Sequence, residues 1–313
     1  MKKHKICKIL LVILAIFLCV AFYELLGICV AYKKQPEVSN TTKKETKNGS
    51  WNECSENTER AVIIEKNPEA LLQRVRLIKN AKKEIILSTF AFQSDESGKL
   101  ILGALHDAAD RGVHIRLLVD GMESWIDMEG NPYFYGLSSH ENVEIKLYNK
   151  ANPLKPWKMM GRMHDKYLIA DGKRYILGGR NTYNYFLGDF PGHKNYDRDV
   201  LVVCDEPEKE NSVNQLSEYF ETIWNQEDSG YFHNNKKLAN RKSVKNAVLE
   251  LQNSYQKYFE ENKERICETD YTDETFETEK ITLVSNPIHT GSKEPVVWYQ
   301  LGELMKNAKN RVK

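Results

Sequence analysis

Residues 161–199 read GRMHDKYLIADGKRYILGGRNTYNYFLGDFPGHKNYDRD, and within them stands His164-x-Lys166-x4-Asp171-x6-Gly178-Gly179-x-Asn181. The run 164–170 (HDKYLIA) alternates in character. It predicts a strand with His164, Lys166, Leu168 and Ala170 on one face and Asp165, Tyr167 and Ile169 on the other. Asp171-Gly172 is a hairpin signal, and Arg174 to Leu177 supplies the return strand. The hairpin carries Gly178, Gly179 and Asn181 back toward the strand end that holds His164 and Lys166. A glycine pair there admits unusual dihedrals or close backbone approach, because no Cβ stands in the way.

These residue types suit one chemistry. Imidazole titrates near neutrality, so His164 can attack phosphorus or hand a proton to a leaving alkoxide. Lys166 is a compact cation that can hold a non-bridging phosphate oxygen. Asn181 can donate to another oxygen as charge builds, with Gly179 letting the backbone come close. A nucleophilic histidine needs a group that fixes its tautomer, and Asp199, which opens the apolar strand DVLVVC, is the candidate. A His-x-Lys pair alone is most often a solvated strand edge. Six specified positions within eighteen residues, laid over strand, turn and strand, favour a phosphodiester pocket instead. Zinc is the competing use of a His/Asp cluster, but His193 and Cys204 are too irregularly placed to complete a ligand set.

The motif resembles the HKD signature of the phospholipase D superfamily. The variant Gly178-Gly179-Arg180-Asn181, followed by Tyr183, Tyr185 and Phe186 and then by the strand from Asp199, is similar to bacterial cardiolipin synthases of the C type. The resemblance implies an α/β fold, an α-β-α sandwich built on a mixed sheet. It implies that His164 is covalent nucleophile or general acid, that Lys166 and Asn181 hold phosphate, that Asp171 is mainly structural, and that Asp199 orients the histidine. It implies no metal or other cofactor, since Lys166 and Asn181 stabilise the charge. Many members carry Gly-Ser where this chain has Gly178-Gly179, so a serine hydroxyl is absent from this half-site.

The 313 residues leave room for one large or two ordinary domains. Charge is nearly balanced, 45 basic residues against 44 acidic, so no global field argues for nucleic acid as a partner. Residues 9–32 are apolar except for Glu24, long enough to cross a hydrocarbon core of ~30 Å. Residues 1–8 supply Lys2, Lys3, Lys5 and Lys8, against Lys33 and Lys34 on the far side, which weakly favours an inside N-terminus. An uncleaved single-pass anchor in the cell membrane is favoured over a signal peptide, because the run is long and no A-x-A site follows. Residues 33–60 form a polar linker expected to be disordered. Of six cysteines, Cys54 and Cys267 could pair if the domain lies outside the cell.

The folded part is expected from about Ala61. A helix starts at Asn67-Pro68-Glu69 with Asn67 as cap. Strands are expected at Glu84–Phe92, Val113–Asp120 and Val143–Tyr148, with a helix from Glu96 to Arg111 stopped by Gly112 and another from Asn211 to Trp224. Such alternation predicts a parallel or mixed sheet covered on both faces. His114, in mid-strand, reads as structural. Lys155, Trp157, Lys158 and Arg162, just before the motif, read equally as a plain loop or as a head-group contact.

Residues 61–232 form the first HKD repeat in this scheme, and 233–279 an inter-repeat helix (about Ser243 to Ile266) with an acidic loop. Residues 280–313 begin a second copy. Ile281–Ser285 is read as its strand, and Met305 to Val312 (MKNAKNRV) echoes Ile78 to Ile85 (IKNAKKEI) 227 residues earlier. The resemblance implies two motifs meeting at a pseudo-twofold axis, so the chain reads as incomplete, its other half supplied by further C-terminal residues or by a dimer. The expected function is a membrane-anchored phosphatidyltransferase working through a phosphohistidine intermediate on phospholipids. A phospholipase D hydrolase, a nuclease of the same superfamily or a silent membrane-bound module are the alternatives.

Overall fold

The computed structural model of the protein describes residues 2–48, 59–204, 206, 211–233 and 235–308. In chain order the elements are α1 (Lys2–Ala31), α2 (Asn40–Asn48), β1 (Glu59–Ile64), α3 (Asn67–Asn80), β2 (Glu84–Thr89), α4 (Glu96–Asp110), β3 (His114–Asp120), α5 (Gly121–Asp127), α6 (Pro132–Ser138) and β4 (Val143–Tyr148). They continue with β5 (Tyr167–Ala170), β6 (Arg174–Gly178), β7 (Asp199–Cys204), α7 (Ser212–Trp224), β8 (Ser229–Tyr231), α8 (Lys242–Glu261), α9 (Lys263–Cys267), β9 (Phe276–Glu277) and α10 (Val296–Lys306). The chain divides into two units.

The larger unit, Asn52–Lys150 with Met163–Leu283, holds every strand found among the described residues. Its mixed sheet has the order β8-β4-β3-β2-β5-β6-β7-β1-β9. The pairs β2–β3 and β3–β4 are parallel and all others antiparallel. Strand alternation sorts the two layers. Leu168, Ala170, Ile176 and Leu117 join one core with Leu71, Val75, Ile101 and Leu105 of α3 and α4. Tyr167, one residue out of step, turns its ring to Phe220 of α7 at 6.5 Å between centroids. The sheet is therefore helix-covered on both sides, as the alternation of strands and helices predicts. The β5–β6 hairpin turns through Asp171 (φ 55°) and Gly172 (φ 61°), a left-handed pair, and Lys173 N donates to Ala170 O at 3.0 Å before Arg174 pairs with Ala170.

The smaller unit comprises Met1–Trp51, Ala151–Arg162 and Val284–Lys313. Its helix α1 is apolar over His4–Ala31, 28 residues, none of it buried. That is about 42 Å at 1.5 Å per residue, long enough to cross a bilayer. The polar stretch after it is not wholly irregular. Ser39 Oγ accepts from Thr42 N and opens α2, Glu294 Oε1 accepts from Ser39 N, and Thr42 and Thr46 are buried. A cap and tertiary cover make a helix from a sequence too polar to promise one.

Other expectations are corrected. Residues 281–285 form no strand; with no partner among the described residues to complete a ladder, Leu283 N instead donates to Gln215 Oε1. The long helix from 243 breaks at Asn262 into α8 and α9. Asn67 does not cap α3 with its side chain: the cap position is Lys66, and the Asn67 amide donates to Asn195 O and accepts from Arg180 Nε. Cys54 lies outside the described residues, and Cys267 is a free, exposed thiol.

Candidate active site

The residues of the motif other than Asp171 converge on one sheet edge because of the strand directions. Parallel β2 and β3 end there at Thr89 and Asp120, antiparallel β5 begins there, β6 ends there at Gly178, and β7 starts there at Asp199. This is the carboxyl-end edge of the parallel strands, where side chains from several elements meet beyond the ladder. His164 and Lys166 lie in extended chain just before β5 rather than inside it, although Gly178 N still donates to Lys166 O at 3.1 Å. Asp165, facing the opposite way, accepts from Tyr219 Oη of α7 at 2.8 Å.

The His164 ring is exposed and stands edge-on to Phe90, 4.5 Å between centroids. Lys166 is only 5% exposed. Its ammonium donates to His164 O at 2.5 Å and lies 5.2 Å above the Phe90 ring. Burial lowers its pKa from the ordinary lysine value to about 8, while Asp165, Asp197 and Asp120 pull the other way. Such a cation is poorly hydrated and ready for an anionic ligand.

Asp120 sets the backbone of this corner. It is buried; Oδ2 accepts from Met163 N at 3.1 Å, and Oδ1 accepts from Met122 N and Glu123 N to start α5. Asn181 is buried beside the site, its Oδ1 accepting from Ala91 N at 3.3 Å. Its amide also bonds the Tyr183 hydroxyl, whose pKa burial raises and that bond lowers. Thr182 bridges in parallel to Phe92, so the 181–182 segment is stitched to the end of β2.

The glycine pair serves space, not conformation; neither residue has a positive φ. A Cβ on Gly178 would stand 2.0 Å from Asp199 Oδ1 and 2.6 Å from Arg198 O. A Cβ on Gly179 would stand 2.0 Å from Asp197 Oδ2. Carboxylates occupy the volume that side chains at these positions would need.

Asp171 and Asp199 have partners of their own. Asp171 is at the opposite end of β5 from His164, where its carboxylate accepts from the backbone N–H groups of Lys82, Lys83 and Glu84 at 2.7–3.1 Å. It fixes the turn into β2 and stands away from the reacting groups. Asp199 was expected to orient His164, yet its Oδ2 sits between Arg74 Nη1 (2.9 Å) and Arg180 Nη1 (3.2 Å), all three side chains almost fully buried. Two guanidinium groups compete for that oxygen, because a buried carboxylate needs counter-charge. Asp197 stands beside Gly179, and its charge acts on both Lys166 and Arg180.

Arg180 also donates to Asn67 Oδ1, Ile64 O and Glu65 O, so it fastens the segment between Gly179 and Asn181 to β1 and α3. Sequence reasoning passed over Arg74, Arg180, Asp120 and Asp197. Only Arg180, lying inside the motif, and Asp120, ending the strand HIRLLVD, carry a signal in the sequence. No group of three or more metal-competent side chains occurs among the described residues.

Residues 74–224 match the family described as cardiolipin synthase, PLD-like domain. An uncharacterized protein of Helicobacter pylori J99 is 30% identical over 212 residues, 63% of this chain and 39% of that protein. Cardiolipin synthase C of Escherichia coli K12 is 30% identical over 154 residues, 45% of this chain and 31% of the synthase. The chain thus matches well under half the length of these curated relatives. Among solved structures, a phosphatidylserine synthase of Haemophilus influenzae superposes with a TM-score of 0.46 at 16% identity, covering 71% of this chain and 48% of that one. Over Arg74 to Trp224 the chain thus carries a domain like those of the phospholipase D superfamily.

Proposed function

We propose that this is a membrane-anchored phosphatidyltransferase of the cardiolipin synthase kind, acting on phospholipid phosphodiesters through a phosphohistidine. The observation that carries the reading is the buried Lys166 ammonium, bonded to the carbonyl of His164 and desolvated enough to lower its pKa to about 8. A phosphate arriving over His164 meets that cation, the Asn181 amide and the backbone beside Gly179. In a paired site one imidazole forms a P–N bond as the P–O bond to the first alcohol breaks, and the other protonates the departing oxygen. A second alcohol then attacks phosphorus, and the P–N bond breaks. His164 takes one of these two parts. The 28-residue apolar helix supports a lipid substrate over a soluble one.

The test is direct. The full chain and a His164→Ala variant are assayed on phosphatidylglycerol vesicles, on single-stranded DNA and on bis(4-nitrophenyl) phosphate. Transfer between lipids that His164→Ala abolishes supports the reading. Water as sole acceptor would make the protein a hydrolase, and cleavage of DNA alone would make it a nuclease. Equal lipid activity in both proteins would remove His164 from the chemistry.

A further inference from the structure

We infer that residues 151–162, the loop that enters the HKD motif, form a wedge seated in the head-group layer of an anionic bilayer. This goes beyond the reading of the site as lipid-directed and rests on it only for its consequence. Within the smaller unit the loop packs on the last turns of α1. Tyr23 Oη donates to Leu154 O at 3.1 Å. Gly27 lies so close to Pro156 that a Cβ there would stand 2.5 Å from the proline Cγ. On its outer side Leu154 is 76% exposed, Met160 57% and Trp157 45%. Its charged residues are Lys155, Lys158 and Arg162, with no acidic residue between 151 and 162.

The depth follows from helix geometry. A helix of about 42 Å centred on a hydrocarbon core of ~30 Å leaves about 6 Å at each end. Gly27, four residues before Ala31, falls at that boundary, and Tyr23 lies about one turn deeper. Tyr23 is a ring of the kind that lies near the boundary, and Lys33 and Lys34 follow beyond it. The segment Leu154–Trp157 is thereby held at the level where apolar rings enter lipid and ammonium groups stay with phosphates. The Leu154 carbonyl, which would suffer most from leaving water, already has its donor in Tyr23. Arg162 is two residues from His164, so chain reach alone keeps them within about 7 Å.

The test uses the full chain in phosphatidylglycerol–phosphatidylethanolamine vesicles whose acyl chains carry bromine near the glycerol. Tryptophan emission should be quenched, and Trp157→Phe should remove a clear part of the quenched signal, whereas Trp125→Phe should not. Undiminished quenching in Trp157→Phe would overturn the proposal, as would a Trp157 blind to brominated lipid in a dimer whose loop is covered by a second copy. This optical readout does not depend on catalysis, so it survives if the proposed reaction is wrong. As a second measurement, Leu154→Glu/Trp157→Glu should raise the vesicle concentration for half-maximal rate roughly tenfold or more. Its rate on bis(4-nitrophenyl) phosphate should be unchanged, and an equal loss on both substrates would count against a membrane role.

Discussion

Replacing the two glycines of the motif one at a time should separate fold from chemistry. In Gly178→Ala the new methyl would stand 2.6 Å from Arg198 O, against an ordinary contact of at least 3.4 Å, so backbone must retreat by roughly 0.8 Å. Gly178 is paired with Asp199 across β6 and β7, so that retreat pries the ladder apart beside the buried Arg74–Asp199–Arg180 cluster. Overpacking of this kind costs about 3 kcal/mol, a fall in Tm of roughly 6–12 °C for a unit of this size. In Gly179→Ser the clash is with Asp197 Oδ2 at 2.0 Å. That atom must move about 1.4 Å, but it ends a half-exposed side chain that can rotate away. The stability cost should be about 1 kcal/mol and the fall in Tm only ~2–4 °C. Rotation takes a carboxylate away from Lys166, whose pKa Asp197 holds up. The ammonium then loses its proton at lower pH than in the parent protein. Thermal melts together with pH–rate profiles on a soluble phosphodiester read both effects. Equal destabilisation by the two substitutions, or an unmoved alkaline limb in Gly179→Ser, would refute the reasoning.

Three further outcomes are expected. Asp171→Ala strands the N–H groups of Lys82, Lys83 and Glu84 and should cost ~2–4 kcal/mol in urea unfolding, with little loss of rate per folded molecule. Arg180→Met leaves Asp199 with one partner in the dark interior and should cost ~3–5 kcal/mol, also loosening Asn181, which calorimetry and KM would register. With Lys166 titrating at about 8, KM for a soluble phosphodiester should climb as pH rises through 8, by about tenfold per unit once the group is mainly neutral. Lys166→Arg should flatten that limb. Linkage has the opposite sign for stability: folding disfavours the charged lysine, so that penalty is present below pH 8 and is relieved as pH rises from about 8 toward the lysine's ordinary range.

Much of the site is legible in the sequence because its order is local. The alternation of 164–170, the left-handed pair Asp171-Gly172 and the short return strand act over a few residues, where spacing fixes geometry. What the sequence hides is partnership over long separations. Arg74 and Asp199 are 125 residues apart, and nothing near either announces the other. Asp199 shows this: a carboxylate opening an apolar strand looks available until two arginines from elsewhere claim one of its oxygens. Asn67 misleads in the same way, since Asn before Pro is a good cap signal and Arg180 outbids the helix for its oxygen. At α2 the error has the other sign, a polar run becoming helical because Ser39 caps it and Glu294 holds Ser39.

The bond from Lys166 Nζ to the carbonyl of His164 closes a small ring of covalent and hydrogen bonds. The backbone that carries His164 and the Lys166 counter-charge are thereby parts of one stiff body and share every excursion of the chain that carries them. Breathing at this corner shifts where a phosphate is seized without parting it from its cation. Substitutions that loosen the surrounding strand should therefore spoil the alignment of in-line attack, seen in kcat, while the ionic-strength dependence of binding stays the same.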